Sequence, residues 1–256
     1  MIRGVDFSHW QAKVNTDKLK AAGIQFAIVK AGEVYIKTVN KPAVTDDMHD
    51  RNIRELKRVG IICGDYYYFH PSAGASKQAR HYAAIRKTNL PDLPPIIDIE
   101  DSDKMKPLDV GKQILQFITE LQLKTGQQPI IYSRNGVLVN DCGNPDWPEG
   151  TLFWIARYGL TIGDLSPKIK PNVIIWQFTD KLALPGLPKM DGNQWLRSLE
   201  ELNILANRNP RSTLQGQSAE IPEVSRLQGG ITEGAIEIVR PQRKLWDYWK
   251  YFFKNK

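Results

Sequence analysis

Strand-like apolar runs alternate with amphipathic helical runs along the first half of the chain, and this alternation restricts the fold more than any other feature. The first five strand-like runs cover about residues 3–6, 25–30, 61–69, 96–99 and 129–133. Helical patterns follow most of them, as in sheets whose parallel strands are joined by right-handed crossovers. The sequence therefore predicts an α/β fold built on a parallel sheet.

The second half has a different rhythm. Strand-like runs at about 152–158, 173–178 and 189–191 follow one another through connections rich in Gly and Pro, and a last helical pattern covers about 194–206. Eight strands in total, five accompanied by a helix, predict an irregular TIM-like (β/α)5(β)3 barrel.

The composition changes after Ala206. Residues 207–230 are rich in Pro, Gly, Ser and Gln and predict a linker. In the basic tail that follows, 231–256, Trp246, Trp249 and Phe253 share one face of a predicted short helix. We therefore predict a barrel domain over 1–206, the linker, and the tail. Two interpretations of the tail helix are open: it docks on the barrel or a second copy, or it binds an anionic wall polymer or membrane surface.

The chain carries a net charge of +7 and has a pI near 9.3, which favours polyanionic partners. Nucleic acid, anionic lipid and a teichoic-acid-bearing wall all satisfy that condition, and charge alone does not choose among them. No apolar run reaches the length of about 18 residues that a membrane span needs. No signal peptide is visible, so we expect synthesis in a cytosol unless another system exports the protein. We expect Cys63 and Cys142 to be free thiols, and no Cys/His spacing predicts a metal.

Two carboxylates end the most apolar of the predicted strands. Asp98 and Glu100 follow Ile96 and Ile97, and alternation points both acids the same way, with Cα atoms roughly 6.6 Å apart. Like charges this close raise the pKa of one carboxyl, as a general acid requires near neutral pH. The alternative is a pair of solvated loop acids, or an ion pair with a neighbouring Lys.

Further acids and aromatic residues lie at the ends of other predicted strands. In a parallel barrel all these ends open on one face, so Asp6 and Asp191 should join Asp98 and Glu100 there. The aromatic residues predicted at the same mouth are Tyr66, Tyr132 and Trp176. Aromatic faces stack on sugar rings, and paired carboxylates cleave glycosidic bonds, so the pattern favours a sugar-binding cleft. The alternatives are a loop cap for Asp6, a turn for Asp191, and core positions for the aromatic side chains.

Nine short motifs, in order over about residues 2–195, resemble those of glycoside hydrolase family 25, the muramidase lysozymes. They are Gly4–Gln11 (GVDFSHWQ), Lys30–Glu33 (KAGE), Gly64–Tyr67 (GDYY), Gln78-Ala79 with Tyr82, Ile97–Glu100 (IDIE), Ile131-Tyr132, Trp154–Tyr158 (WIARY), Trp176–Thr179 (WQFT) and Met190–Asn193 (MDGN). The chain departs from the family pattern at Tyr67 (usually His), Gly32 (Thr) and Val34 (Gly).

The resemblance implies a catalytic barrel that hydrolyses the β-1,4 bond between N-acetylmuramic acid and N-acetylglucosamine in peptidoglycan. By position, Glu100 matches the proton donor, Asp98 its partner, and Asp6 and Asp191 the remaining acids. Lys30, in the family's K-A-T-E motif, is taken with Tyr66, Tyr132 and Trp176 as substrate-binding. The attacking group at C1 is left open between a carboxylate, a water and the substrate's acetamido group.

The expected partners are peptidoglycan glycan strands, with no cofactor, no metal and no nucleic acid. A phage or prophage endolysin, made in the host cytoplasm and released to the wall at lysis, fits the sequence; a secreted enzyme whose leader is missing is the alternative. Two other functions compete. One is a chitinase-like barrel, whose usual D-G-x-D-x-D-x-E run is absent here. The other is a catalytically inactive wall-binding or virion structural protein on the same barrel, against which the four retained acids argue.

Overall fold

Eight strands close into a barrel in the computed structural model, which describes residues 1–38 and 42–206. The strands of the sheet are β1 (Ile2–Phe7), β2 (Phe26–Val34), β3 (Ala43–Thr45), β4 (Ile62–Tyr68), β5 (Ile96–Asp98), β6 (Ile130–Ser133), β7 (Phe153–Ala156), β8 (Val173–Leu182) and β9 (Met190–Trp195). Their order is β1-β9-β8-β7-β6-β5-β4-β2, and pairing of β1 with β2 closes the ring. β3 adds to β2 in antiparallel orientation as an extra strand.

Among the described residues, four α-helices occupy connections in the first half of the chain, and a fifth follows the last strand. They are α1 (Thr16–Ala21), α2 (His49–Arg58), α3 (Ala75–Thr88), α4 (Pro107–Thr125) and α5 (Leu199–Leu205). Local sequence explains their limits: Asn15 caps α1 through the Lys18 amide, and Gly126 ends α4 with a left-handed φ of 70°. After β6 the chain makes a short π-helical turn, Val137–Asp141, and later a 3₁₀ turn, Lys170–Asn172, and the described strands that follow β6 are joined without α-helical crossovers. The predicted α/β barrel with an irregular second half is confirmed.

The region around β9 differs from the prediction. The predicted strand stops at residue 191 and a helix follows from 194, but β9 runs to Trp195 and α5 begins only at Leu199. The helix start is therefore wrong. β9 is rich in Asp, Gly, Asn and Gln, so its sequence carries a weak strand pattern. It pairs antiparallel with both β1 and β8, and this pairing on both edges holds it as a strand.

The barrel interior is an apolar plug below the carboxyl ends of the parallel strands. Leu202 and Ala206, from the last described segment of the chain, pack against this plug. The side chains that fill it include Phe26, Ile28, Ile62, Ile96, Ile130, Trp154, Ile175 and Trp195. Gly4 is required here because a Cβ atom would stand 2.3 Å from the Phe26 ring. The plug keeps water out from below, so polar side chains in the layer above it are buried.

The predicted linker (207–230) and basic aromatic tail (231–256) lie outside the described residues, and their roles stay predictions. Within the described part of the chain, no helix is both long enough and apolar enough to cross a membrane. Cys63 and Cys142 are both buried and free.

Candidate active site

Asp6 and Asp191 face each other across the β1–β9 ladder, where they are direct partners in the antiparallel register. Asp191 therefore reaches the mouth at the start of β9, not at the end of a parallel strand as predicted. Asn193 Nδ2 donates to Asp6 Oδ2 at 2.6 Å. Gln177 Nε2 donates to Asp6 Oδ2 at 3.0 Å and to Asp191 Oδ2 at 3.4 Å.

Burial raises the pKa of Asp6 well above its usual value, and the charge of Asp191 raises it further. Burial also raises the pKa of Asp191, while a hydrogen bond with Asp6 acts in the opposite direction. Two like charges this close do not ionise independently, so the two carboxyls titrate as a pair that retains a proton more readily than isolated acids.

Asp98 and Glu100 form a second pair at the end of β5. Asp98 is 3% exposed and closes the strand, whereas Glu100 lies two residues further on and is exposed at the rim. Burial raises the pKa of Asp98 well above its usual value, with the neighbouring Glu100 charge as the next cause. The partial desolvation of the Glu100 carboxyl raises its pKa too, although Arg134, Asp98 and Lys30 act against that rise. The two carboxyls are close enough for each to shift the pKa of the other, so they titrate as a pair.

Three of the predicted substrate-binding residues lie with these acids. Tyr66 is half-buried, and burial raises the pKa of its hydroxyl, followed by the charges of Asp98 and Asp6, so it stays a hydrogen-bond donor. The Tyr132 hydroxyl donates to Gln177 Oε1 at 2.9 Å and is thereby connected to Asp6. Lys30 is 8% exposed, and its charge opposes the raised pKa values of Asp98 and Glu100.

Trp176 has a different position. It precedes Gln177, whose side chain reaches the acids, so strand alternation turns Trp176 to the other face of β8. Its indole Nε1 donates to the Arg157 carbonyl at 2.7 Å, and its ring packs edge-on against Phe178. The structure thus brings together seven of the eight predicted site residues, and a substrate contact by Trp176 stays a prediction.

The sequence reasoning missed the side chains that hold the acids. Gln177 and Asn193 lie inside two of the motifs above, and Asn193 shares the strand parity of Asp191, which is the signal that could have identified it. Asn193 also accepts a hydrogen bond from Trp154 Nε1 at 2.8 Å, so it ties the acid layer to the apolar plug.

A chain of charged groups on the opposite wall was also not predicted. Lys30 Nζ lies 2.5 Å from Glu33 Oε1, and Glu33 Oε2 lies 3.6 Å from His70 Nε2. His70 Nδ1 in turn lies 3.1 Å from Asp103 Oδ1. Burial lowers the pKa of His70, but Glu33 and Asp103 outweigh it and raise the pKa overall. This arrangement fixes the Lys30 ammonium beside the acids.

We expect Asn193→Ala to cost about 1–3 kcal/mol of stability, because it removes a donor from buried Asp6 and an acceptor from the Trp154 indole. Urea unfolding followed by tryptophan fluorescence measures the change. Asn140→Ala, at an exposed position, is the matched control and should unfold at the wild-type midpoint. Equal midpoints for both variants would show that the Asn193 side chain does not support the acid layer.

Comparisons with known proteins agree with this geometry. The chain matches the family model "Glycosyl hydrolases family 25" over residues 5–187. It is similar to lysozyme M1 of Streptomyces globisporus, with 26% identity over 220 residues that cover 80% of this chain and 71% of that protein. It is also similar to YegX of Escherichia coli, an uncharacterized protein, with 28% identity over 207 residues, 78% of this chain and 72% of that one.

Among solved structures, the bacterial lysozyme from Streptomyces coelicolor superposes with a TM-score of 0.69 at 25% sequence identity. The match covers 80% of this chain and 97% of that one. Such coverage means that the shared fold extends over nearly all of that lysozyme chain.

Proposed function

Because the chain belongs to glycosyl hydrolase family 25 and is a glycoside hydrolase of the muramidase type, we propose that it cleaves the β-1,4 bond between N-acetylmuramic acid and N-acetylglucosamine in bacterial peptidoglycan. The observation that carries the proposal is the Asp98–Glu100 pair, in which burial and the neighbouring Glu100 charge raise the pKa of a deeply buried carboxyl beside one exposed at the rim. Such a pair can keep a proton near neutral pH and present it to a bound sugar.

Each acid has a role in this reaction. Glu100, at the rim, donates the proton to the glycosidic oxygen as the bond breaks. Asp98 shares that proton from below and raises the proton affinity of the pair. Positive charge develops at C1 in the oxocarbenium-like transition state, and the negative charge retained by Asp6 and Asp191 stabilises it. In this proposal the Tyr66 hydroxyl and the Lys30 ammonium hydrogen-bond the sugar, which the nearness of both groups to the acids supports.

We expect Asp98→Asn to lower activity and to move the alkaline limb of the pH–rate profile to lower pH. In the wild type, burial and the like charge of Glu100 raise the pKa of Asp98 well above its usual value, so the pair of carboxyls keeps its last proton to higher pH. With an amide at 98, Glu100 titrates without a neighbouring like charge, so it loses its proton earlier as the pH rises.

The measurement is kcat/KM on solubilised peptidoglycan across the pH range. Asp17→Asn, at an exposed surface carboxylate, is the control with the same chemical change and should keep the wild-type profile. An Asp98→Asn profile that superimposes on the wild type would show that the two carboxyls are not coupled.

A catalytically inactive wall-binding protein is the competing function on the same barrel. Retention of all four acids in one mouth, with hydrogen-bond partners for Asp6, favours the enzyme. Incubating the purified protein with isolated bacterial walls separates the two functions. The enzyme should clear turbidity and release reducing sugar, whereas sedimentation with intact walls and no release would identify a binding protein.

The proposed setting is that of a phage or prophage endolysin that reaches the wall after release from the host cytoplasm, without nucleic acid as a partner. The net charge of +7 supports binding to anionic wall polymers. Expression in a bacterial cytoplasm should leave cells intact until the membrane is permeabilised and then lyse them rapidly. Intact cells after permeabilisation, with active enzyme in the extract, would contradict this setting.

A further inference from the structure

Two adjoining cavities lie beside the proton donor, on the side of β6 and β7. The smaller, about 210 Å³, is lined by Glu100, Tyr132, Arg134, Ala156 and Tyr158. The larger, about 320 Å³, shares Arg134, Ala156 and Tyr158 and continues to Asn135, Gly136 and Arg157. Together they form a depression that leads from Glu100 along the rim.

The strand register fixes Arg134 next to Glu100. Asp98 on β5 pairs with Tyr132 on β6, and Ser133 Oγ donates to the Ile99 carbonyl at 2.6 Å. Two residues beyond the paired positions, Glu100 and Arg134 therefore stand side by side at the rim. Arg134 is close enough to Glu100 to oppose the rise in the pKa of that carboxyl.

The larger cavity is lined by two arginines and by no carboxylate, whereas the smaller one adds Glu100 beside Arg134. Arg134 is exposed, and its guanidinium acts electrostatically on Glu100 without belonging to any of the salt bridges found among the described residues. The Arg157 guanidinium donates to the Asp164 carbonyl at 3.0 Å, a neutral acceptor, and is also outside every ion pair of the described residues. Two guanidinium groups and the small side chain of Ala156 thus line a space that can accept an anionic group.

We propose that these cavities are a subsite for the carboxylate carried by the 3-O-lactyl substituent of the muramoyl sugar, either free or on its attached peptide, with Arg134 and Arg157 as its ligands. The inference rests on the proposed function, since the muramoyl ring contains the reacting C1. Its lactyl arm therefore starts next to the proton donor and can extend into the adjoining cavities. A planar guanidinium matches a carboxylate with two parallel hydrogen bonds, and Tyr158 offers apolar surface to the lactyl methyl group.

The subsite makes substrate charge a determinant of rate. We expect wild-type kcat/KM to be about 10- to 100-fold higher on soluble glycan oligomers with free lactyl carboxylates than on the same oligomers converted to neutral carboxamides. This factor corresponds to the usual contribution of a hydrogen bond to a charged group. In the double variant Arg134→Gln/Arg157→Gln this ratio should fall to near one. Each protein is measured at its own pH optimum, because loss of Arg134 also changes the pKa of Glu100.

A second pair of substrates, peptide-bearing oligomers with ionised and with neutralised peptide carboxyls, identifies the source of the carboxylate. If the wild type cleaves the ionised member of a substrate pair faster than the neutral member, the double variant should cleave both members of that pair at similar kcat/KM. Arg54→Gln, on the exposed side of α2, controls for the loss of surface charge and should retain the wild-type ratio. Two results would overturn the subsite. One is a double variant that shows the same ratio of kcat/KM between ionised and neutral substrates as the wild type. The other is a wild type that shows no difference between the two members of either substrate pair. If the wild type releases no reducing ends from any oligomer, the proposed function itself fails.

Discussion

Replacing Glu100 with Gln is expected to lower kcat on peptidoglycan about 10²- to 10⁴-fold, the range for loss of general acid catalysis. The amide keeps the shape of the side chain but has no proton to transfer to the glycosidic oxygen. Because Glu100 is exposed at the rim and Asp98 keeps its own position in β5, the fold and its melting temperature should change little. Steady-state kinetics with a thermal melt on the same preparation measure both quantities.

Glu149→Gln supplies the matched control, since Glu149 is an exposed loop carboxylate away from the mouth. It should retain wild-type kcat. Wall clearance by Glu100→Gln at the control's rate would show that another group donates the proton, and the assignment of Glu100 would be wrong.

The largest expected loss of stability follows substitution of Arg86 on α3. Its guanidinium forms an ion pair with Asp65 of β4, and both side chains are almost fully buried. Burial opposes ionisation of Asp65, but Arg86 and His49 outweigh it and hold the pKa of that carboxyl below its usual value. Arg86→Met leaves Asp65 buried beside His49 without its main counter-charge, which should cost about 3–5 kcal/mol in the free energy of unfolding.

The same network supports the active site. The Tyr82 hydroxyl donates to Asp65 and accepts from the Ile96 amide at 3.0 Å, and Ile96 begins the short strand that ends at Asp98. Loss of the ion pair should therefore loosen β5 and lower activity below the melting temperature.

Arg58→Met is the control, because Arg58 pairs with Asp17 at an exposed site and its removal should change the melting temperature little. The stability difference between wild type and Arg86→Met should be largest above about pH 4 and shrink in acid. A carboxyl with a lowered pKa stabilises the fold above its unfolded pKa, and that contribution is lost as the pH falls through the folded pKa. A small, pH-independent difference would contradict the role given to the pair.

The sequence was sufficient to predict the barrel and the meeting of the four acids. Asp6 and Asp98 end parallel strands, and the ends of such strands meet on one face, so their convergence follows from local patterns. Asp191 lies on the same face because it is near the start of the antiparallel strand β9. The apolar signal in β9 is weak, and its antiparallel course depends on pairing with β1 and β8, which no local pattern encodes.

The finer arrangement of the site depends on register, which the sequence leaves open. Trp176 and Gln177 are adjacent, and a shift of one position decides which of them faces the acids. The register of the β8–β9 ladder shifts after Gln177. Strict alternation along the sequence therefore does not determine which side chains of β8 face the barrel interior there. Arg134 lies beyond the end of β6, where position is set by the neighbouring strand through the bond from Ser133 to Ile99.

The identity of the new reducing end after peptidoglycan digestion decides whether the protein is a muramidase that acts through Glu100. Purified enzyme is incubated with walls, the products are reduced with borohydride, and the reduced sugar is identified by mass spectrometry after hydrolysis. We expect muramitol, formed in proportion to wall clearance and absent with Glu100→Gln. Glucosaminitol as the reduced sugar, or clearance with no reducible end, would contradict a muramidase acting through Glu100.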